Sequence, residues 1–344
     1  MEQILFIGDI HIKFNNLKEV ETLENKILKL KQHITFIVIA GDVLDTHEKI
    51  NTQLLNKAYN FIQTCRRKAP VYVLVGNHDY INNQQFLTSN HWMNGLKEWS
   101  NIYVVDKPMY YDNGKYLFMP YVPVGRFIDA LTVSDKKFDW KKCICIFAHQ
   151  EIKNCKMGPI QSIEGDEWEL KWPMLISGHI HERQNVQKNI LYPGSVINHS
   201  FGNDNQGLSL ISFSDHGELS EIKIDIGLEK KSIIYEQLNS IEKNVKLDQI
   251  TKNNKLSLEG EIKDIAAFKK TKTYKTLIDK QIKVVFRVKT NVGPCAGGAR
   301  DPSSPNTQEK ECVDITPFSN ILTNLIMKEI DNELEKDFQY IKEH

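Results

Sequence analysis

Apolar residues in this chain come in short runs that stop abruptly on polar ones. Ile4-Leu5-Phe6-Ile7 gives way to Gly8-Asp9-Ile10-His11, and the run from Ile34 to Ala40 gives way to Gly41-Asp42-Val43-Leu44-Asp45. Val71 to Val75 then meets Gly76-Asn77-His78-Asp79. Runs this short, bounded by turn residues, predict buried strands. Between them the period changes: Leu17, Val20, Leu23, Ile27, Leu28 and Leu30 recur at helical spacing over 17–31, and a second helix is predicted over about 51–67. Alternating strand and helix predicts a parallel sheet whose C-terminal strand ends share one edge, where open α/β sheets carry their sites. Asp9, Asp42 and Asn77 are therefore expected to meet in space.

Further along, the pattern turns β-rich. Ile102 to Val105, Tyr116 to Met119 and Cys143 to Ala148 read as strands, the last leading into His149. Residues 150–172 read as a polar loop region, and Met174 to Ser177 leads into Gly178-His179-Ile180-His181. Ile190 to Tyr192 precedes Pro193-Gly194-Ser195, and Leu208 to Phe213 with Ile222 to Ile226 is expected to complete a second sheet. Residues 256–289 read as strand, helix, strand. The Gly- and Pro-rich stretch 291–315 predicts a flexible linker, and Thr316-Pro317 starts an amphipathic helix over 316–344. The fold class is α/β (α+β), with a catalytic domain over 1–228 and a small α/β domain over 229–290.

Composition narrows the function. Lys plus Arg and Asp plus Glu are both 44, so no global field attracts polyanions, and nucleic acid would need a local patch or a partner. One candidate patch exists: nine Lys or Arg against two Asp lie between Lys263 and Lys289, with Lys269, Lys270, Lys272 and Lys275 as candidate DNA contacts. The bland reading of the same stretch is a solvated face. No apolar run is long enough for a signal peptide or a membrane span, so an intracellular protein is expected. The six cysteines form no disulfide or zinc pattern; Cys143 and Cys145 alternate in a predicted strand and should share one face.

The candidate chemistry sits at the strand ends. Asp9, His11, Asp42, Asn77, His149, His179 and His181 offer only nitrogen and oxygen donors, a set suited to manganese or iron, with zinc and magnesium as alternatives. Seven ligands are too many for one tetrahedral ion and natural for two that share a carboxylate. Two such ions about 3.5–4 Å apart make the clamp used for in-line attack on phosphorus. The glycine before each ligand pair should let the backbone turn tightly. His33, His91, His199, His216 and His344 fall in no motif and are expected at the surface, and His47 in an exposed loop.

The ordered set Asp9-x-His11, Gly41-Asp42, Gly76-Asn77-His78-Asp79, His149 and Gly178-His179-Ile180-His181 resembles the calcineurin-like metallophosphoesterase superfamily over roughly the first 215 residues. The resemblance implies a four-layer αββα sandwich. It also implies one ion on Asp9, His11 and His181, another on Asn77, His149 and His179, and Asp42 between them. His78 would be the catalytic phosphate-stabilising or proton-donating histidine, oriented by Asp79. Val43-Leu44-Asp45-Thr46 after Asp42, Asp79 closing the third motif, and Tyr192-Pro193-Gly194-Ser195 are similar to the SbcD family of double-strand-break repair nucleases. The stretch from His149-Gln150-Glu151 to Gly165-Asp166 is more like its phage and viral versions. That resemblance implies a DNA exo- or endonuclease with a C-terminal capping domain and an SbcC-type coiled-coil ATPase held by the terminal helix, and it allows a homodimer. Two rivals stand beside it: a small-molecule or cyclic-nucleotide phosphodiesterase or phosphatase of the same superfamily, and a non-catalytic scaffold of that fold.

Overall fold

The strands that precede the ligand motifs are buried along their length, save for half-buried Met174, and alternate side chains serve two different layers. The computed structural model describes residues 2–47, 49–202, 206–214, 216–246 and 248–289. In chain order they form β1 (Ile4–Ile7), α1 (Leu17–Lys29), β2 (Phe36–Ile39), α2 (Thr52–Arg66), β3 (Val71–Leu74) and β4 (Ile102–Val105). Next come β5 (Met109–Tyr111), β6 (Tyr116–Phe118), α3 (Phe127–Thr132), β7 (Cys145–His149), β8 (Lys156–Met157) and β9 (Ile160–Gln161). Then β10 (Met174–Gly178), β11 (Gln184–Gln187), β12 (Ile190–Tyr192), β13 (Leu208–Phe213) and β14 (Leu219–Ile224) complete the two large sheets.

Two six-stranded sheets result, ordered β14-β13-β1-β2-β3-β4 and β11-β12-β10-β7-β6-β5. Ile4, Phe6, Phe36 and Val38 face the second sheet and meet Phe118, Phe147 and Ile176 there. Their neighbours Leu5, Ile7, Ile37 and Ile39 face outward onto Val20, Leu23 and Ile27 of α1 and Phe61 and Ile62 of α2. The outer face of the second sheet carries Leu117, Ile146 and Leu175, covered by Phe127 and Leu131 of α3 and by Trp140 and Trp168. These are the four layers, helix, sheet, sheet, helix. The period-2 alternation of a strand buried on both faces produces them.

Several elements differ from the sequence reading. Leu208–Phe213 joins the first sheet, not the second, pairing antiparallel with β1 while β1 pairs parallel with β2. Its partner strand starts at Leu219 rather than at Ile222. Alternating apolar residues fix a strand but not its neighbour. The region 150–172 is not all loop, since β8 and β9 form a short antiparallel hairpin. Cys143 and Cys145 do not share a face: β7 begins only at Cys145, whose side chain lies between the sheets, whereas Cys143 packs in the outer layer.

Beyond this, β15 (Ser232–Gln237), α4 (Ile241–Asn244), β16 (Asn254–Gly260), α5 (Ile262–Phe268), α6 (Lys272–Asp279) and β17 (Lys283–Val288) build a three-stranded parallel sheet with its own core. Two helices therefore stand between its last two strands where one was expected. Lys269, Lys270, Lys272 and Lys275 are exposed around the junction of α5 and α6. Linker 291–315 and helix 316–344 lie outside the described residues. Among the described residues no helix is long and apolar enough to cross a membrane.

Candidate metal centre

The five motif stretches converge at the strand ends, and the turns that bring them there are unusual. His11, Asp42 and His179 all adopt left-handed backbone, with φ of 46°, 48° and 79°. For residues with a Cβ such conformations cost about 1–3 kcal/mol each and persist where the surroundings enforce them. Here the enforcement is visible. His11 N donates to Asp42 O at 2.9 Å and Ile12 N to Val43 O at 2.8 Å, joining the first two motifs. His179 N donates to Asp9 Oδ1 at 2.9 Å, joining the first and the last.

The glycines work mainly through close approach. Only Gly41 of the four has positive φ, at 99°. A Cβ on Gly76 would sit 2.2 Å from Asp42 Oδ1, so this glycine makes room for the central carboxylate.

Three groups of ligand atoms lie within 4.8 Å of one another: Asp9, His11 and His181; Asp42, His149 and His179; and His11, Asp42 and His78. Donors on one small divalent ion, each about 2.0–2.2 Å from it, fall within about 4.4 Å of each other, so these groups are close to coordination spacing and would draw in slightly around an ion. His11 Nε2 and His181 Nε2 face each other at 3.1 Å. Asn77 Oδ1 is 3.0 Å from both His149 Nε2 and His179 Nδ1. Asp42 Oδ2 stands 3.5 Å from His11 Nε2 and 3.4 Å from His149 Nε2, between the two groups. Asp9 Oδ2 is buried with no hydrogen-bond partner. Buried polar atoms are normally satisfied, and an orphaned carboxylate oxygen among imidazole nitrogens fits a cation.

The outer contacts set which nitrogen faces inward. His149 Nδ1 donates to the Ala40 carbonyl at 2.6 Å, which leaves Nε2 for the cluster. His11 Nδ1 lies 3.1 Å from Asp45 Oδ1, and Lys13 Nζ lies 3.1 Å from the same oxygen. Asp45, quoted from sequence only as part of a motif, is thus the outer partner of His11.

Charge follows from this crowding. Burial favours a neutral Asp42, but His149, His11 and His78 hold its carboxyl well below the usual carboxylate range. Burial likewise disfavours charge on His149, yet Asp42 and Asp9 raise it to about 9. Burial and the neighbouring His149 push His179 down to about 4.

His78 borders the cleft over the cluster. Its backbone N–H donates to Asp42 Oδ1 at 2.9 Å, and its ring stacks on His47 at 4.7 Å. His47 is therefore half-buried beside the site rather than loose in a loop. Asp79 does not touch the His78 ring. Its carboxylate accepts from Val43 N at 3.2 Å, Gly76 N at 3.1 Å and Trp92 Nε1 at 2.9 Å, clamping the second motif to the third. Burial and the Asp42 charge push Asp79 up to about 7 against the pull of these donors.

Two histidines expected at the surface are drawn inward, His91 buried and His199 half-buried. His199 Nε2 donates to the Asp9 carbonyl at 2.9 Å, and its ring packs on His11 at 4.9 Å and His181 at 5.1 Å. Burial, with His11 next, lowers its pKa to about 3. The sole sequence signal was its place just after the Gly194-Ser195 turn. His91 is held inside by Asp106, 3.2 Å from its Nε2. His33 and His216 are exposed as expected, and His344 lies outside the described residues.

Comparison with known proteins gives three relatives and one family. Residues 3–183 match the family model for calcineurin-like phosphoesterase. The chain is 45% identical over 283 residues to "Putative phosphoesterase 244L" of Invertebrate iridescent virus 6, covering 78% of this chain and 98% of that protein. It is 38% identical over 338 residues to "Putative phosphoesterase 078R" of Invertebrate iridescent virus 3, covering 96% and 94%. A 26% identity over 255 residues links it to "Uncharacterized protein R555" of Acanthamoeba polyphaga mimivirus, covering 66% of this chain and 18% of that one.

Proposed function

Because the chain belongs to the calcineurin-like phosphoesterase family, we propose that it is a two-metal phosphodiesterase that cuts DNA, as nuclease subunit of an SbcC–SbcD-like repair or recombination complex. The supporting observation is the position of Asp42, one carboxylate set between two ligand groups. Asp9, His11 and His181 would hold one ion, Asn77, His149 and His179 the other, with Asp42 serving both. Manganese suits this all nitrogen and oxygen set, as would iron, zinc or magnesium. When bound, the ions supply the Lewis acidity that polarises a phosphoryl oxygen and acidifies water.

The rest falls to the chain's own residues. Asp42 Oδ1 anchors the His78 backbone, while His47 and His11 flank the His78 ring. So held, His78 would steady a phosphate oxygen and give a proton to the departing ester oxygen. Asp79 acts as a positioning residue, holding the His78 loop against the Asp42 loop.

The DNA reading follows the resemblance to SbcD nucleases, carried in part by Tyr192-Pro193-Gly194-Ser195. The Gly194-Ser195 turn is part of the centre's frame: Ser195 N donates to His181 O at 3.1 Å and Val196 N to Gly8 O at 3.2 Å. Lys269, Lys270, Lys272 and Lys275 would track phosphates, with an ATPase partner docking on 316–344. The test is the manganese-loaded full chain on linear and single-stranded DNA. Cleavage should fall by about 100-fold or more in Asp42→Ala and His78→Ala. A protein that hydrolyses cyclic nucleotides or bis(p-nitrophenyl) phosphate but leaves all DNA intact would move the reading to the small-molecule rival.

A further inference from the structure

The cleft over the cluster, about 420 Å³, is lined by Asn77, His78 and His179 of the motifs and by Lys156, Met157 and Gly158. The last three belong to the β8–β9 hairpin, in which Met157 pairs with Ile160 and Lys156 with Gln161. Directly opposed residues in a ladder present their side chains on one face, so Ile160 stands beside Met157. Both are open to solvent, Met157 at 38% and Ile160 at 65%. Neither packs into the cores described above, so folding does not account for apolar residues here.

The hairpin is fixed at its base. Gln184 clamps the Lys156 main chain, accepting from its N–H at 2.7 Å and donating to its carbonyl at 2.8 Å. Ser162 N donates to Cys155 O at 2.8 Å, and Ser162 Oγ donates to Glu151 Oε1 at 2.5 Å. The other Glu151 oxygen lies 4.0 Å from His179 Nε2, so the hairpin is held in register with the cluster.

The neighbouring chemistry names the occupant. A phosphodiester over the cluster carries an organic group on each ester oxygen, and the group turned toward the hairpin meets Met157, with Ile160 beside it across the ladder. In a nucleic acid that group is a nucleoside, whose base has a flat, weakly hydrated face. An adaptable thioether and a branched alkyl chain suit such a face without reading its sequence. We infer that the Lys156–Gln161 hairpin is the nucleoside wall of the cleft: Met157 and Ile160 pack on the base of an unpaired nucleotide beside the phosphate to be cut, and Lys156 serves the flanking phosphate. A base-paired nucleotide keeps its faces in the duplex stack and cannot make this contact. The inference rests on the phosphodiesterase reading above.

The test compares the full-length chain with Met157→Ser/Ile160→Ser and with Ile222→Ser, an exposed apolar control on β14 that is 60% open. Substrates are a single-stranded oligodeoxynucleotide, the same strand with abasic residues, and bis(p-nitrophenyl) phosphate. The ratio of kcat/KM for the oligonucleotide to that for the small diester should fall roughly tenfold in the double variant and not in the control. Abasic residues should impose the same fall on the natural chain and add nothing to the variant. Without catalysis, in EDTA, 4-thiothymidine strands should photocross-link within 156–161. An unchanged ratio, or adducts only elsewhere, overturns the hairpin's role while leaving a DNA-cutting enzyme in place. A natural chain that cleaves the small diester and no oligonucleotide overturns both.

Discussion

The backbone N–H of His179 donates to Asp9 Oδ1 at 2.9 Å, joining residues 170 positions apart and tying the end of one sheet to the end of the other. Asp9 thus commits one oxygen to the fold and leaves the other unpartnered, in the place proposed for a cation.

Asp9→Asn should separate them. The amide keeps an acceptor for His179 and loses the anionic oxygen, so metal-free stability should change by no more than about 1 kcal/mol while one equivalent of manganese is lost. Asp9→Leu should lose both and cost about 1–3 kcal/mol. Urea melts in EDTA and metal analysis of dialysed protein read the two effects. Equal metal content in Asp9→Asn and the natural chain would sink the assignment.

Manganese should raise the melting temperature in a dose-dependent way. Ligand that binds only the folded chain stabilises it by mass action, about 2.7 kcal/mol at a concentration 100 times Kd. Asp42→Ala removes the carboxylate that stands between the two groups, and calorimetry should show its response largely gone. A full response in that variant would place the ions elsewhere.

Away from the centre, Asp106 gives a pH signature. Burial alone would raise its pKa, but the His91 hydrogen bond and Lys97 hold the carboxyl at about 2. A carboxylate depressed on folding contributes fully above its unfolded pKa, near 4, and that contribution is lost as pH falls toward 2. Asp106→Asn should therefore cost about 1–2 kcal/mol at pH 7, and the deficit should shrink between pH 4 and pH 2. Urea melts at pH 7, 4 and 3 check this; a deficit that grows on acidification contradicts it.

Thiol labelling tests the cysteines. Cys65, Cys143, Cys145 and Cys155 are buried, and burial pushes Cys143 up to about 12 and Cys155 up to about 11. Thiolate is the reactive form, so iodoacetamide at pH 8 should leave these four intact in the native chain. All six should label in urea, as counted by mass spectrometry. Labelling of Cys155 under native conditions would show that its region opens.

Much of the centre was legible because four of its five motifs follow a short apolar strand and a glycine, while His149 closes a strand directly, patterns that local chemistry dictates. What stayed hidden depends on neighbours the sequence does not name. Leu208–Phe213 reads as a strand anywhere, but only the packed fold puts it beside β1. His199 and His91 look like surface residues until the Asp9 carbonyl and Asp106 come within hydrogen-bond reach. The Arg183 guanidinium, just past His181, grips Glu221 at 2.5 and 2.6 Å, a link between the sheets that no spacing announces.

The place of β13 also sets an order of events during synthesis. β1, which leads into Asp9 and His11, has β2 on one side and β13 on the other. Until Leu208–Phe213 leaves the ribosome, one flank of β1 presents unpaired amides and carbonyls, an adhesive border that invites association with other chains. By then His179 and His181 have already emerged. A nascent polypeptide therefore carries every candidate ligand before the sheet beneath them can be sealed.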